Sequence, residues 1–273
     1  MDVNKIARIL FFSMQQAGIV ACMMQADIIN EKKETIRIDG ETDAHFAMRE
    51  AKTKVDEMVQ ELLLQSVYPH IGTCCSLDVE EDTASLALYP SDQEYVLILD
   101  PIDGTLPYIE QRDNYSICAG ITYQSDFLLA MVYFPKRDML YLYTKDMGCK
   151  RYENASRKQF DEGIDLTSAP LSSSKIIYVN ERVEQSFCDK LRDLGYTVYY
   201  DTKDRIGVPD VLLGVMQQNY CACVCKTRNL RDILLGVILS KMEHGCAVDF
   251  SGKPVVWKAS GRQPEVIFTF SNI

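Results

Sequence analysis

Two aspartates at the end of an apolar run are the residues in this sequence best suited to chemistry. Asp100 and Asp103 follow the run Tyr95–Leu99 and directly precede Gly104 and Thr105. A continuous apolar run predicts a strand buried on both faces, and α/β proteins place ligands at the carboxyl ends of such strands. Two crowded carboxylates repel each other, and a hard divalent cation such as Mg²⁺ relieves that repulsion. The N–H groups of Gly104 and Thr105 are suited to a phosphate oxygen, so the pattern predicts metal-assisted phosphate chemistry.

The spacing of the same motif disfavours a covalent phosphatase mechanism. Phosphatases of the haloacid dehalogenase class carry a nucleophilic aspartate two residues before a second aspartate. Counting back two residues from Asp103 leads to Pro101, whose side chain has no nucleophilic group. A phosphoaspartyl intermediate is therefore not expected.

The segment from Asp100 to Thr105 reads Asp-Pro-Ile-Asp-Gly-Thr and resembles the first signature of the inositol monophosphatase superfamily. That superfamily of metal-dependent, lithium-sensitive phosphatases also includes fructose-1,6-bisphosphatases and 3′-phosphoadenosine phosphatases. Three further segments extend the resemblance over nearly the whole chain: Glu80-Glu81, Thr53 to Asp56, and a degraded second signature that runs from Arg231-Asp232 to Gly236.

The resemblance implies a set of metal ligands. A first Mg²⁺ would be held by Glu80, Asp100 and the Ile102 carbonyl. A second would be held by Asp100, Asp103 and Asp232, and a third, weaker ion would use Glu80. Two or three Mg²⁺ ions and inhibition by Li⁺ are therefore expected.

The resemblance also implies catalytic roles. Glu80 and the first ion would bind the attacking water and lower its pKa, and Thr105, hydrogen-bonded to Asp56, would orient that water. The second ion would neutralise charge on the leaving oxygen, in an in-line displacement without a covalent intermediate. Each carboxylate also has an ordinary structural reading, because Asp56 and Asp232 could be helix caps and Glu80 lies in an acidic run.

The residues on the substrate side depart from the superfamily. Members that act on inositol phosphates carry an acidic residue seven positions before the second-signature aspartate, and here that position is Cys225. Arg231 replaces the usual Trp, with Lys226 and Arg228 nearby. We therefore hypothesise that the substrate is not myo-inositol phosphate. Gly104 and Thr105 would bind the phosphate of the substrate. Lys226 and Arg231 would bind a second phosphate or a carboxylate. The alternative is that these two cations are solvated residues on the surface.

The damaged second signature leaves a non-enzymatic alternative open. A diverged relative could bind metal or phosphate and serve as a regulatory or structural partner. Turnover with Mg²⁺ separates this alternative from a phosphatase.

Hydrophobic periodicity predicts the elements that position these residues. A helix is expected over 3–28, a loop or hairpin over 30–45, and a second helix whose apolar stripe ends at Tyr68-Pro69. An antiparallel meander follows, and beyond the Ser/Thr/Pro-rich segment 163–174 strands alternate with helices, including one over 231–244. We predict two subdomains, 1–165 and 166–273. The predicted fold class is α+β, an αβαβα sandwich of the inositol monophosphatase type, with a largely antiparallel N-terminal sheet and a smaller C-terminal α/β sheet.

Composition limits the classes of partner. The chain has 273 residues and a formal net charge of −10, which disfavours nucleic-acid polymers and anionic membranes, while a local cation could still hold a small phosphorylated metabolite. Neither a secretory signal nor a transmembrane helix is expected. Ten cysteines with three histidines favour buried reduced thiols over a zinc site at Cys221, Cys223 and Cys225, and hence a cytoplasmic location. A homodimer is expected from the resemblance alone.

Overall fold

The computed structural model describes residues 1–168, 172–226, 229–258 and 264–270. Eight α-helices lie within these residues: α1 (Val3–Met24), α2 (Asp43–Glu50), α3 (Lys54–Ile71), α4 (Thr105–Ile109), α5 (Gln185–Asp193), α6 (Asp201–Asp204), α7 (Val208–Met216) and α8 (Leu234–Ser240). The strands in these residues are β1 (Cys75–Val79), β2 (Tyr95–Asp103), β3 (Ser116–Tyr123), β4 (Asp126–Phe134), β5 (Met139–Thr144), β6 (Gly148–Glu153), β7 (Ile164–Asp165), β8 (Ile176–Val179), β9 (Thr197–Tyr200), β10 (Ala222–Cys225), β11 (Cys246–Val248) and β12 (Val266–Thr269).

The first sheet contains β1 to β7 in sequence order. Strand β1 runs parallel to β2, and each later neighbour is antiparallel. Leu97, Ile98 and Leu99 of β2 are fully buried, because helices cover both faces of this sheet. The meander predicted from the short polar turns is confirmed.

The second sheet has the order β11-β12-β10-β8-β9. Strands β8, β9 and β10 are parallel, whereas β12 is antiparallel to β10. Parallel neighbours need crossover connections, and α5 and α7 lie within those connections. The change of sheet falls near the predicted subdomain boundary, part of which, 169–171, lies outside the described residues; the division into two subdomains stays a prediction.

Five layers result from the way the helices pack. Helices α1 and α3 cover one face of the first sheet, and their core includes Phe11 and Leu63. Helices α7 and α8 lie between the two sheets, where Leu234 and Phe268 share one core with residues of β4. Helix α5 covers the outer face of the second sheet through Cys188. The predicted αβαβα sandwich is confirmed.

Three local predictions need correction. Helix α3 does not end at Tyr68-Pro69 but continues to Ile71, since Gly72 N donates to Tyr68 O across the proline at 2.9 Å. Helix α2 was not predicted, because none of its residues is buried and it therefore has no apolar stripe. The predicted helix over 231–244 is a 3₁₀ turn, Arg231–Ile233, followed by α8.

Helix α1, counted with its 3₁₀ extension to Asp27, is long and apolar enough by composition to cross a membrane, with a mean hydropathy of 1.4. Half of that stretch is buried inside the molecule. Ile6, Leu10 and Met14 pack into the first core. This packing is that of a core helix, and such a helix passes the same test of length and composition.

Candidate metal and phosphate site

A β-bulge brings the two motif carboxylates to one face of β2. Residues three apart in a regular strand point to opposite faces. Asp100 pairs with Cys118 and Asp103 with Ser116, so β2 holds one more residue than β3 over this interval. The extra residue restores a common direction for both carboxylates, and Pro101, which lacks an N–H, lies within the irregular stretch.

Asp232 completes a cluster of three carboxylates. It lies in the 3₁₀ turn before α8, which packs against the first sheet. Carboxylate oxygens of Asp100, Asp103 and Asp232 all lie within 4.8 Å of one another, and no other group of this kind occurs among the described residues. Asp100 is only 5% exposed, and its buried Oδ1 has no hydrogen-bond partner. An unpartnered buried oxygen within a set of oxygen donors is what a hard divalent cation fits.

Electrostatics supports the same reading. Burial, Glu80 and Asp103 hold the pKa of Asp100 well above its usual range. Burial and the neighbouring Asp232 do the same to the pKa of Asp103. The cluster therefore favours bound positive charge, whether protons or a cation.

Glu80 lies beside this cluster and is paired with a lysine. Lys33 Nζ lies 2.5 Å from Glu80 Oε1 and 2.8 Å from Glu81 Oε1. Burial opposes ionisation of Glu80, but the charge and hydrogen bond of Lys33 hold its pKa below the ordinary value. Gln60 of α3 fixes this segment by bonding to both Glu81 N and Glu81 O, at 2.9 and 2.6 Å. Sequence reasoning missed Lys33 and Gln60, because each lies outside any motif.

Asp56 and Thr105 lie in contact, as the resemblance implies. Thr105 Oγ1 lies 3.1 Å from Asp56 Oδ1 and 3.0 Å from Ile102 O. Asp56 also accepts from Thr53 N and Thr53 Oγ1 in a capping box at the start of α3. Burial raises the pKa of Asp56 to about 7, so this carboxylate is able to hold or release a proton near neutral pH.

The candidate residues line one cavity of about 450 Å³. Its wall includes Glu80, the aspartate cluster, the bulge residue Ile102, and Gly104 and Thr105. Gly104, in the turn before α4, has a φ of +91°. A residue with a Cβ atom would be strained in this conformation, whereas glycine adopts it readily. A larger groove of about 1080 Å³ between α1 and α3 contains none of these residues.

The other wall of the cavity is polar, and most of its residues were not predicted from the sequence. It includes Asn180, Arg182, Asp201 and Thr202 as well as Cys225. Asp201 is buried, accepts from Asn180 Nδ2 at 3.1 Å, and has a pKa raised to about 6 by burial. These residues come from the segment after β8, from α6 and from β10, so no local spacing connects them to the motif.

The predicted substrate-binding cations lie in different environments. Arg231 lines the cavity, and its Nη1 lies 2.7 Å from Asp78 Oδ1 and 3.2 Å from Val79 O. Lys226 is not among the cavity-lining residues and pairs with Glu184 and Glu265, at 3.1 and 2.7 Å. Arg228 lies outside the described residues. The hypothesis of a second-anion site finds no support in the placement of Lys226.

The cysteines do not form a metal site within the described residues. Cys221, Cys223 and Cys225 are buried, and all ten cysteines are free thiols. Their burial agrees with the interpretation of these three residues as packed thiols.

Comparisons with known proteins identify the family of this chain. A family model described as the inositol monophosphatase family matches residues 7–259. A fructose-1,6-bisphosphatase/inositol-1-monophosphatase of Aquifex aeolicus is 28% identical over 138 residues, which are 50% of this chain and 47% of that protein. The matched region thus spans about half the length of this curated relative.

Solved structures agree in fold. A staphylococcal inositol monophosphatase complexed with products has a TM-score of 0.72 at 18% identity, over 98% of this chain and 92% of that one. The same TM-score, identity and coverage apply to an inositol monophosphatase/NADP phosphatase complexed with Mg²⁺ and phosphate. The chain belongs to the inositol monophosphatase family.

Proposed function

We propose that this protein is a Mg²⁺-dependent phosphomonoesterase that hydrolyses a small phosphorylated metabolite. The observation that carries the proposal is the convergence of Asp100, Asp103 and Asp232, with one buried Asp100 oxygen left without a hydrogen bond. The family match over 7–259 supports it. A solved relative of the same fold is described as binding Mg²⁺ and phosphate.

Different residues of the chain would perform different parts of an in-line displacement. Asp100, Asp103 and Asp232 would hold the metal, and Glu80 and Ile102 line the same cavity. Bound Mg²⁺ would supply positive charge to the phosphate and acidify water. Thr105, bonded to Asp56, would orient the attacking water and pass a proton toward Asp56. As the new P–O bond forms, the ester P–O bond breaks and the leaving oxygen takes a proton from a solvent water molecule.

The substrate is proposed from the polar wall of the cavity. Cys225 offers no strong acceptor for a polyol, but Asp201 and Asn180 present a carboxylate and an amide on the same wall. A leaving group with hydroxyls at different positions from those of myo-inositol suits this arrangement. A cytoplasmic location is supported by the free thiols, and a homodimer and the absence of nucleic-acid or membrane partners stay part of the proposal.

Phosphate release from a panel of esters tests the proposal. The panel holds inositol 1-phosphate, fructose 1,6-bisphosphate, 3′-phosphoadenosine 5′-phosphate, NADP⁺ and a chromogenic ester, each with Mg²⁺ and with EDTA. We expect Mg²⁺-dependent release from at least one ester, and a loss of about 100-fold or more in Asp100→Asn. Asp126→Asn, which changes an exposed carboxylate, is the matched control.

One observation favours the non-catalytic alternative. Lys33 is paired with Glu80, and the charge of Arg231 acts on Asp100 and Glu80, so cations already lie beside carboxylates that would otherwise be free for metal. Binding of Mg²⁺ without release from any ester of the panel would favour a regulatory or structural relative over the phosphatase.

A further inference from the structure

Arg231 brings a permanent positive charge into the carboxylate cluster. Its side chain is only 16% exposed and lines the cavity. Because a guanidinium does not lose its proton in proteins, this charge is present at every working pH. Arg231 directly precedes Asp232 in the same 3₁₀ turn, so the backbone that positions Asp232 in the cluster also positions Arg231.

The contacts of this guanidinium fix it at the Glu80 end. Nη1 bonds to Asp78 Oδ1 at 2.7 Å and to Val79 O at 3.2 Å, both at the carboxyl end of β1. Glu80 is the next residue along the chain. Its own carboxylate is 2.5 Å from Lys33 Nζ. Two side-chain cations therefore flank Glu80.

The aspartate cluster, which adjoins Glu80, has a different character. Asp100, Asp103 and Asp232 have oxygens within 4.8 Å of one another. The buried Asp100 Oδ1 lacks a hydrogen-bond partner. A divalent cation satisfies this cluster, whereas a second ion at Glu80 would have to displace Lys33 and would meet repulsion from Arg231 as well as from the first ion.

We propose that Arg231 supplies, at the Glu80 end, the positive charge that a further divalent ion would otherwise bring, so that each chain binds one divalent ion, at Asp100, Asp103 and Asp232. This inference rests on the proposed metal site. It also assigns Arg231 a role in metal stoichiometry rather than in recognition of a second anionic group of the substrate.

Calorimetric titration with Mg²⁺ and Mn²⁺ tests the inference without any turnover. We expect one ion per wild-type chain. Arg231→Gln is expected to bind a second ion. Arg231→Lys keeps the charge and should resemble the wild type. The surface control Arg8→Gln, which breaks the exposed pair with Asp161, should do the same.

Two results would overturn the inference. One is a folded Arg231→Gln variant that still binds a single ion. The other is two or more ions on the wild-type chain, which decides the matter even if the variant fails to fold.

Measuring phosphate release on the same samples separates this inference from the proposed function. Mg²⁺-dependent turnover with an Arg231→Gln variant that binds like the wild type removes only the role of Arg231. A second ion in that variant, with no turnover in either protein, supports the inference and removes the phosphatase.

Discussion

Asp103 owes its position to the absence of a side chain at Gly207. A Cβ on Gly207 would overlap Asp103 Oδ1. The backbone of Gly207 has an ordinary φ of −71°, so the glycine is required for space rather than for backbone conformation. At the scale of single residues, the cluster therefore depends on a neighbour that is not itself a ligand.

Gly207→Ala is expected to weaken divalent-ion binding about tenfold or more, because the methyl group must push the Asp103 carboxylate aside. The measurement is a Mg²⁺ titration, with the melting temperature recorded to show that the variant folds. Gly163→Ala is the control: its Cβ would meet the ring of Tyr152, far from the cavity lining. Unchanged Mg²⁺ affinity in folded Gly207→Ala would contradict this account of Asp103.

At the scale of secondary-structure elements, the first residues of α3 and α4 form part of the candidate site. Helix α3 begins with the capping box of Thr53 and Asp56, and the same Asp56 contacts Thr105 at the start of α4. A helix cap and a proposed catalytic contact thus share one carboxylate. A change to the cap should affect both stability and turnover.

Thr53→Ala removes the hydroxyl that donates to Asp56 Oδ2 at 2.6 Å. We expect a loss of about 1–2 kcal/mol in the free energy of unfolding, together with a fall in phosphate release, because Asp56 loses one of the donors that orient it. Denaturant unfolding and a turnover assay measure the two effects. Asp2→Ala is the matched control, since Asp2 caps α1 through Lys5 N and does not line the cavity; it should cost stability and leave turnover unchanged. Equal turnover losses in both variants would contradict the role of Asp56.

The segment before α2 is anchored to that helix by an ion pair. Arg49 Nε and Nη2 bond to the carboxylate of Glu41 at 2.6 and 2.9 Å. This pairing lowers the pKa of Glu41 to about 2, well below the ordinary value for a glutamate. A carboxyl with a depressed pKa stabilises the fold at pH values above its unfolded pKa. That stabilisation is lost as the pH falls toward 2.

Glu41→Gln is accordingly expected to lower the free energy of unfolding at pH 7 by about 1–3 kcal/mol. The difference from the wild type should shrink as the pH falls from about 4.5 to about 2. Urea unfolding at pH 7, 4.5 and 2.5 measures it, with the exposed Glu34→Gln as the control. A difference that stays constant with pH would show that the Glu41 charge is not what stabilises this segment.

At the scale of the whole molecule, the site is assembled where the two sheets share helix α8. Leu234 follows Asp232 by two residues, is fully buried, and occupies the space that the missing side chain of Gly120 leaves on β3. The contact joins the C-terminal carboxylate to the sheet that holds Asp100 and Asp103. Stability and metal binding should therefore be coupled through it.

Leu234→Ala is expected to cost about 2–5 kcal/mol in the free energy of unfolding, through lost burial and a cavity between the sheets. Mg²⁺ affinity should also fall, since Asp232 loses its support. Denaturant unfolding with and without Mg²⁺ measures both effects. Leu194→Ala, at a position 73% exposed, should change stability by no more than about 0.5 kcal/mol. A Leu234→Ala variant that is destabilised but binds Mg²⁺ normally would uncouple the packing from the site.

Much of this architecture could be predicted from local patterns. The apolar stripes of α1 and α3 and the meander are visible as periodicity, because helix and strand formation depend on residues close in the chain. Helix α2 escaped prediction since it buries nothing. The placement of α3 past Pro69 escaped it because the later part of the helix is held by packing and by the bond across the proline.

The sequence by itself determined the chemistry of the motif, Asp100 with Asp103 before Gly104 and Thr105, and the family to which it belongs. Only the tertiary structure decided that a bulge turns both aspartates to one face and that Lys33 pairs with Glu80. It also decided that Lys226 is paired with glutamates outside the cavity lining. The reason is physical: residue type and spacing record what neighbours along the chain can do, whereas strand register and ion pairing depend on groups brought together from distant parts of the chain.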